Sequence, residues 1–508
     1  MPSTAGNEYP PSQSVGVQAL PADFASLFPP PPGLLEDTWP PTQVTYLGVY
    51  LSSLGCKSVV SESHYIDRDY IHDMALFYSR SLRCYPNFCQ RLHFFTEDFD
   101  LEAWKRMVTD TGNYDEKTQF LQKAYLGYCV VRPLPGSPIG RTVLVTFGPT
   151  TPTDTRSFDA VRDYDVHLGG FKLTIRGLAF QQQDQGVSAC ATTALWSSLN
   201  KVAQLEALAI PTPAEITQAA SRYLLAEGRA LPSEGLNINQ ICEAIRGSGL
   251  QPLVSRSVSF DQDCAQLHGY IRSGLAPVLA IQPVQGGSAH AVCAVGLKIG
   301  EVAPQTTPTL NYRDAATAVR AVYIHDDRLG PYAAAELTPW TIPKTPVSPA
   351  RIATGLRIQW PDKVDAEQCI LLAVIVPMPT KLRMSIPRVR WFALHLAQAI
   401  GDEFTEFAKQ VVFACRYRFA TEYRSEAHQL GLTDPGLYLL NCETVLSRYV
   451  GLIELSINEE PLFDVLLDAT ETRANPSILA FVRRKGFPDK YKTSFELIAR
   501  NCGARVIW

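Results

Sequence analysis

Three remote stretches of this chain carry residues that could do nucleophilic chemistry together. The first reads Gln181-Gln182-Gln183-Asp184-Gln185-Gly186-Val187-Ser188-Ala189-Cys190. It is a polar loop, a glycine and a cysteine. The cysteine opens an amphipathic helix through Ala194, Leu195, Trp196, Leu199 and Val202. A thiol at a helix N-terminus meets the positive end of the macrodipole, which favours the thiolate and makes it a nucleophile. First-turn amides have no intrahelical acceptor. The Cys190 N–H and a glutamine side-chain amide from the loop could therefore hold a developing oxyanion.

The second stretch is Gly286-Gly287-Ser288-Ala289-His290-Ala291-Val292-Cys293. Here a histidine opens a strand of small residues just after a glycine turn, so its imidazole edge can approach another element closely. The third is Ala321-Val322-Tyr323-Ile324-His325-Asp326-Asp327-Arg328-Leu329-Gly330, a strand that ends in carboxylates. A carboxylate there can accept the imidazole N–H, fix its tautomer and stabilise the imidazolium. Strand alternation puts Asp326 with Ile324 and Val322, and Asp327 with His325. Taken singly, each stretch also reads as a buried cysteine, a structural histidine or a strand-end turn. Their order along the chain is what suggests a site.

That order and those local texts resemble the papain-like cysteine peptidase superfamily, most of all the bacterial double-glycine leader (bacteriocin-processing) peptidases. The resemblance covers roughly residues 176–345. It implies Cys190 as nucleophile, His290 as general base and then acid, Asp326 as orienting acid and Gln183 as oxyanion donor. It also implies a thiol protease acting on a protein or peptide substrate through an acyl-enzyme, with no cofactor and no metal. The sequence departs from the family pattern in three places, one of them the text Val187-Ser188-Ala189-Cys190, which lacks the glycine–cysteine context common before the nucleophile. Position 184, six before the cysteine, is Asp where the family has glutamine, so Gln182 and Gln185 stay open beside Gln183. Asp327 follows the acid where proline is common, so it stays open beside Asp326. A transferase or deamidase would use the same residues. A catalytically silent binding module in a larger assembly is the non-enzymatic alternative.

The elements around the site suggest an α+β protein. At about 150 residues per domain, 508 residues allow two to four domains. Residues 1–43, with the run Pro29-Pro30-Pro31-Pro32, read as a proline-rich flexible tail, from which Phe24, Leu27 and Phe28 could dock on the body. Residues 44–175 read as an N-terminal α/β region of unknown role. A strand is expected at Val44–Leu51, a helix at 67–82 capped by Asp67, and a hairpin bracketed by Arg132 and Arg141. Residues 176–380 place helices before antiparallel strands, the expected peptidase domain. Residues 381–508 read as a C-terminal α+β domain led by a long helix from Val389 to Tyr423. The flanks are expected to select the substrate or a regulatory protein partner.

Composition narrows the function. A formal net charge of −4 without basic blocks gives no footprint for nucleic acid or anionic membrane. No apolar run approaches the roughly 18 residues of a spanning helix, and the first residues lack a signal-peptide pattern. Twelve scattered cysteines without Cys-x-x-Cys point to reduced thiols. A cytoplasmic protein is the expectation. Cys84, Cys89, His64 and His93 sit among Leu82, Tyr85, Phe88 and Phe94 and read as packing rather than a zinc site.

Overall fold

The computed structural model describes residues 14–28, 39–80, 84–134, 136–147, 155–184, 189–223, 235–302, 304–306, 311–343, 350–361, 363–403, 411–457, 460–472 and 477–508. The run Pro29–Pro32 and Gln185 lie outside them.

The N-terminal region comprises β1 (Val15–Ala19), α1 (Thr42–Ser53), β2 (Ser58–Tyr65), α2 (Arg68–Leu76), β3 (Cys89–Phe95), α3 (Leu101–Thr109), α4 (Tyr114–Ala124), β4 (Tyr125–Val131) and β5 (Ile139–Leu144). Its five strands form one antiparallel sheet in chain order. Two expectations are corrected here. The tail is built into the body over its described part, with Val15–Ala19 pairing along β2 and Phe24, Leu27 and Phe28 buried in the core. Val44–Leu51 is helix, not strand. Its buried positions Val44, Leu47, Gly48 and Leu51 follow the helical period, which outweighs the β-propensity of its valines and tyrosines. The Asp67 cap is present, with its carboxylate accepting from the Asp69 and Tyr70 amides.

Next come β6 (Thr155–Ser157) and the hairpin β7 (Arg162–Leu168) and β8 (Phe171–Gly177). The central helices are α5 (Cys190–Leu205), α6 (Pro213–Ala220) and α7 (Ile238–Gly247); β9 (Gln251–Arg256) then leads to α8 (Phe260–Arg272). A run of strands follows: β10 (Val278–Pro283), β11 (His290–Ile299), β12 (Pro304–Thr306), β13 (Asn311–Asp314), β14 (Val319–Asp326), β15 (Gly330–Ile342), β16 (Arg351–Ile358) and β17 (Glu367–Met378). Strands β10, β11, β14, β15, β16 and β17 pair in that order, and β17 pairs back to β10. The result is a six-stranded antiparallel barrel, with β9 added beside β17 and β6 beside β11. Helix α5 packs on β11. Its buried face includes Leu195, Trp196 and Leu199.

The C-terminal region contains α9 (Ile386–Glu403), β18 (Val412–Phe419), β19 (Tyr449–Ile457), β20 (Glu460–Asp468), β21 (Ile478–Arg483) and β22 (Arg505–Ile507). The helix expected to reach Tyr423 is described as far as Glu403, and Val412–Phe419 is a strand. Phe413 and Tyr417 alternate with Arg416 and Arg418 there, a period of two that a helix cannot use. Strands β12 and β13 leave the central region and join this sheet through β18. The chain as a whole is mixed α/β with several antiparallel sheets.

Candidate active site

Cys190 is the first residue of α5. Ala189 before it is extended and has no capping side chain, so the first-turn amides are left without a side-chain acceptor. Cys190 is partly exposed, whereas Ala191 to Asn200 behind it are all buried. His290 is the first residue of β11, entered from Gly286 and Gly287, which both take left-handed backbone angles. Strand β14 runs antiparallel to β11 with Cys293 opposite His325. This register brings the end of β14 to the start of β11, and so Asp326 to His290.

The imidazole of His290 joins the other two groups. Its Nε2 donates to Asp326 Oδ1 at 2.9 Å. The Cys190 side chain lies close enough to the ring to contribute to raising the His290 pKa. With Nε2 turned to the carboxylates, Nδ1 is the nitrogen left for sulfur. His290 is 8% exposed and Asp326 fully buried. Burial disfavours the imidazolium, but Asp326, with smaller contributions from Asp327 and Cys190, outweighs it, and the His290 pKa is raised well above its ordinary value. Asp326 moves the other way. Burial would raise its pKa, yet His290 and Arg328 hold it below the usual carboxylate range.

Arg328 is the residue that sequence reasoning missed. Its backbone N–H and Nε donate to Asp326 Oδ1 at 3.0 and 3.1 Å, and its Nη2 donates to Oδ2 at 2.9 Å. Its Nη1 and Nη2 donate to the two oxygens of Glu367, both at 3.1 Å. The indole N–H of Trp360 donates to the same Glu367 at 3.2 Å. A basic residue two positions past the acid was visible in the sequence. Glu367 and Trp360 lie two strands further on and gave no signal.

Asp327 is placed differently. Its Oδ1 is 3.3 Å from His290 Nε2, within ion-pair reach but without the alignment of a hydrogen bond. Neither of its carboxylate oxygens accepts a hydrogen bond among the described residues. Burial, against partial compensation by His290, raises its pKa. The geometry thus separates the two adjacent acids: Asp326 is bonded and ionised, Asp327 is buried without donors.

The glutamines also separate. Segment 180–184 lies along β5. Phe180 exchanges both backbone bonds with Thr142, and the Gln182 N–H donates to the Ile139 carbonyl. Gln182 spends its side chain on this contact, accepting from the Ile139 N–H at 3.3 Å and donating to the Gly136 carbonyl at 3.1 Å. It is not free to serve an oxyanion. Alternation turns Gln181 and Gln183 to the opposite face. Gln183 is exposed, and among the described residues no hydrogen bond ties it to Cys190. Gln181 is buried with its amide nitrogen unpartnered. Gln185 is not described.

Other candidates resolve as structure. His325 is buried edge-on to Phe180 and Tyr332, and burial lowers its pKa to about 3. His93 bonds Tyr125 and Glu62, and Cys89 is buried while Cys84 is exposed. Arg132 and Arg141 are paired with Asp184 and Asp69. Among the described residues, His290, Asp326 and Asp327 form a group of three potential metal ligands. Arg328 already supplies positive charge there, so a cation fits poorly. A cavity lined by Lys201, Arg272 and Arg416 lies towards the C-terminal end of α5 and includes none of the site residues. No helix among the described residues is long and apolar enough to cross a membrane. No protein-family model matches the chain, and no curated protein matches it.

Proposed function

We propose that this chain is a cytoplasmic cysteine hydrolase of papain-like type that cleaves peptide or isopeptide bonds. One observation carries the reading: a single imidazole is hydrogen-bonded to a carboxylate anchored by arginine, and a helix-leading thiol lies close enough to help raise its pKa. A helix-borne thiol set against a histidine that opens a strand of a barrel supports the papain-like assignment.

In the reaction, His290 takes the thiol proton and the Cys190 sulfur attacks the scissile carbonyl. Asp326 favours the imidazolium formed in this step. The tetrahedral oxyanion is met by the Cys190 N–H and by the side-chain amide of Gln183. The imidazolium then gives its proton to the departing amine, leaving a thioester. His290 deprotonates a water, which attacks the thioester and releases the acid and the free thiol.

The test is incubation of the full chain with a peptide library, followed by mass spectrometry of new termini. Cleavage by the wild type that is absent from Cys190→Ala supports the hydrolase. Retention of intact peptides, with saturable binding by both proteins, supports a binding module instead.

A further inference from the structure

The N-terminal region grips both halves of the candidate site. On the nucleophile side, the hold is on the segment leading to Cys190. Arg132 Nη2 donates to the Gln182 carbonyl at 2.9 Å and to the Ser137 carbonyl at 3.0 Å. Arg132 Nη1 also lies 3.6 Å from Asp184 Oδ2, and both side chains are almost fully buried. Phe180, Gln182 and Asp184 thus each make a contact with the β4–β5 hairpin. On the acid side, Gln43 of α1 donates its amide to the Asp327 main-chain carbonyl at 2.9 Å. Tyr46, one turn on, lies so close to Gly330 that a Cβ there would run into its ring.

We propose that this region is an integral part of the site, with Arg132 positioning residues 180–184 ahead of Cys190 and Gln43 positioning the turn that carries Asp326. The inference rests on the hydrolase reading for its catalytic consequence, but the clamp itself is a statement about the chain alone. The two residues should leave different signatures. A displaced segment 180–184 spoils oxyanion binding through Gln183 and leaves the thiol–imidazole pair in place. A displaced acid turn changes the imidazole and hence the thiol.

The experiment uses the full chain with Arg132→Met, Gln182→Met and Gln43→Met. Gln182→Met removes the side-chain bonds to the hairpin without burying an unpaired charge, which covers a failure of Arg132→Met to fold. Three quantities are read: amide exchange at Gln182, iodoacetamide alkylation of Cys190 across pH, and turnover of a thiol-reactive chromogenic ester. Arg132→Met and Gln182→Met are expected to speed Gln182 exchange and to cut kcat by about tenfold or more. KM and the alkylation profile should stay within about twofold of wild type. Gln43→Met is expected to move the pH profile of alkylation and leave Gln182 exchange unchanged. Unchanged exchange in both loop variants overturns the clamp. So does an equal fall of turnover and alkylation in all three variants. Absence of ester turnover by the wild type refutes the hydrolase reading alone, and the clamp then stands or falls on the exchange data.

Discussion

His290 Nε2 lies 2.9 Å from Asp326 Oδ1, and that carboxylate is fully buried and held by three donors of Arg328. The imidazole orientation is therefore set by a group that cannot rotate away. Asp326→Asn preserves shape but removes the charge and forces an amide against a guanidinium. Turnover should fall by about 100-fold or more. Asp327→Asn, which alters an acid without hydrogen-bond donors, should cost less than about tenfold. Comparison of kcat/KM for the two variants checks this. The reverse ranking would assign the orienting role to Asp327.

Arg328 bridges Asp326 and Glu367 across the barrel end. Arg328→Met leaves a buried carboxylate without its counter-charge. The expected loss of stability is about 3 kcal/mol, read as a shifted urea midpoint. A change below about 0.5 kcal/mol, the range of ordinary surface substitutions, would mean that the pair is not structural.

The raised pKa of His290 makes stability depend on pH. A histidine whose folded pKa exceeds its unfolded value contributes fully below the unfolded value, here 6.5, and loses that contribution as pH rises through the folded value. Asp326 is depressed, so its contribution is present above the ordinary value of 3.8 and lost as pH falls through the folded value. The stability difference between wild type and His290→Gln should therefore be largest in the weakly acidic range and shrink in alkaline solution. Urea unfolding at a series of pH values reads it directly. A difference that grows with alkalinity contradicts the assignment.

Tyr332 ties the site's framework to the N-terminal sheet. Its hydroxyl accepts from the Leu178 N–H at 2.8 Å and donates to the Leu144 carbonyl at 3.1 Å, with all three residues buried. Tyr332→Phe strands a buried amide and should cost about 1–3 kcal/mol. Thermal or urea unfolding checks the cost, and Cys190 alkylation should be unaffected in the folded variant.

The pattern of success and failure in the sequence has physical causes. Cys190 at a helix start, His290 after a glycine turn and Asp326 at a strand end were legible because each is a local pattern. That they meet depends on the β11–β14 register and on α5 packing against β11, which the order of the segments only suggests. Barrel closure between β10 and β17 joins strands about ninety residues apart, and no short-range signal announces it. At Val44–Leu51 the valines and tyrosines favour a strand by propensity, and the burial period decides for helix. Apolar residues continue from α9 into β18, so apolar content alone does not separate the helix from the strand. Arg132 at the edge of a hairpin is visible in the sequence, but its hold on Gln182 depends on residues 180–182 lying along β5, which no local pattern announces.

The most direct test of the central claim is the rate of iodoacetamide alkylation at Cys190, mapped by mass spectrometry at about pH 6, where an ordinary thiol is almost wholly protonated. The exposed thiols Cys84, Cys442 and Cys502 serve as internal references in the same molecule. The account predicts that Cys190 reacts about tenfold or more faster than these references, and that His290→Ala abolishes the advantage. Equal rates at all four sites, or an advantage that survives His290→Ala, would contradict it.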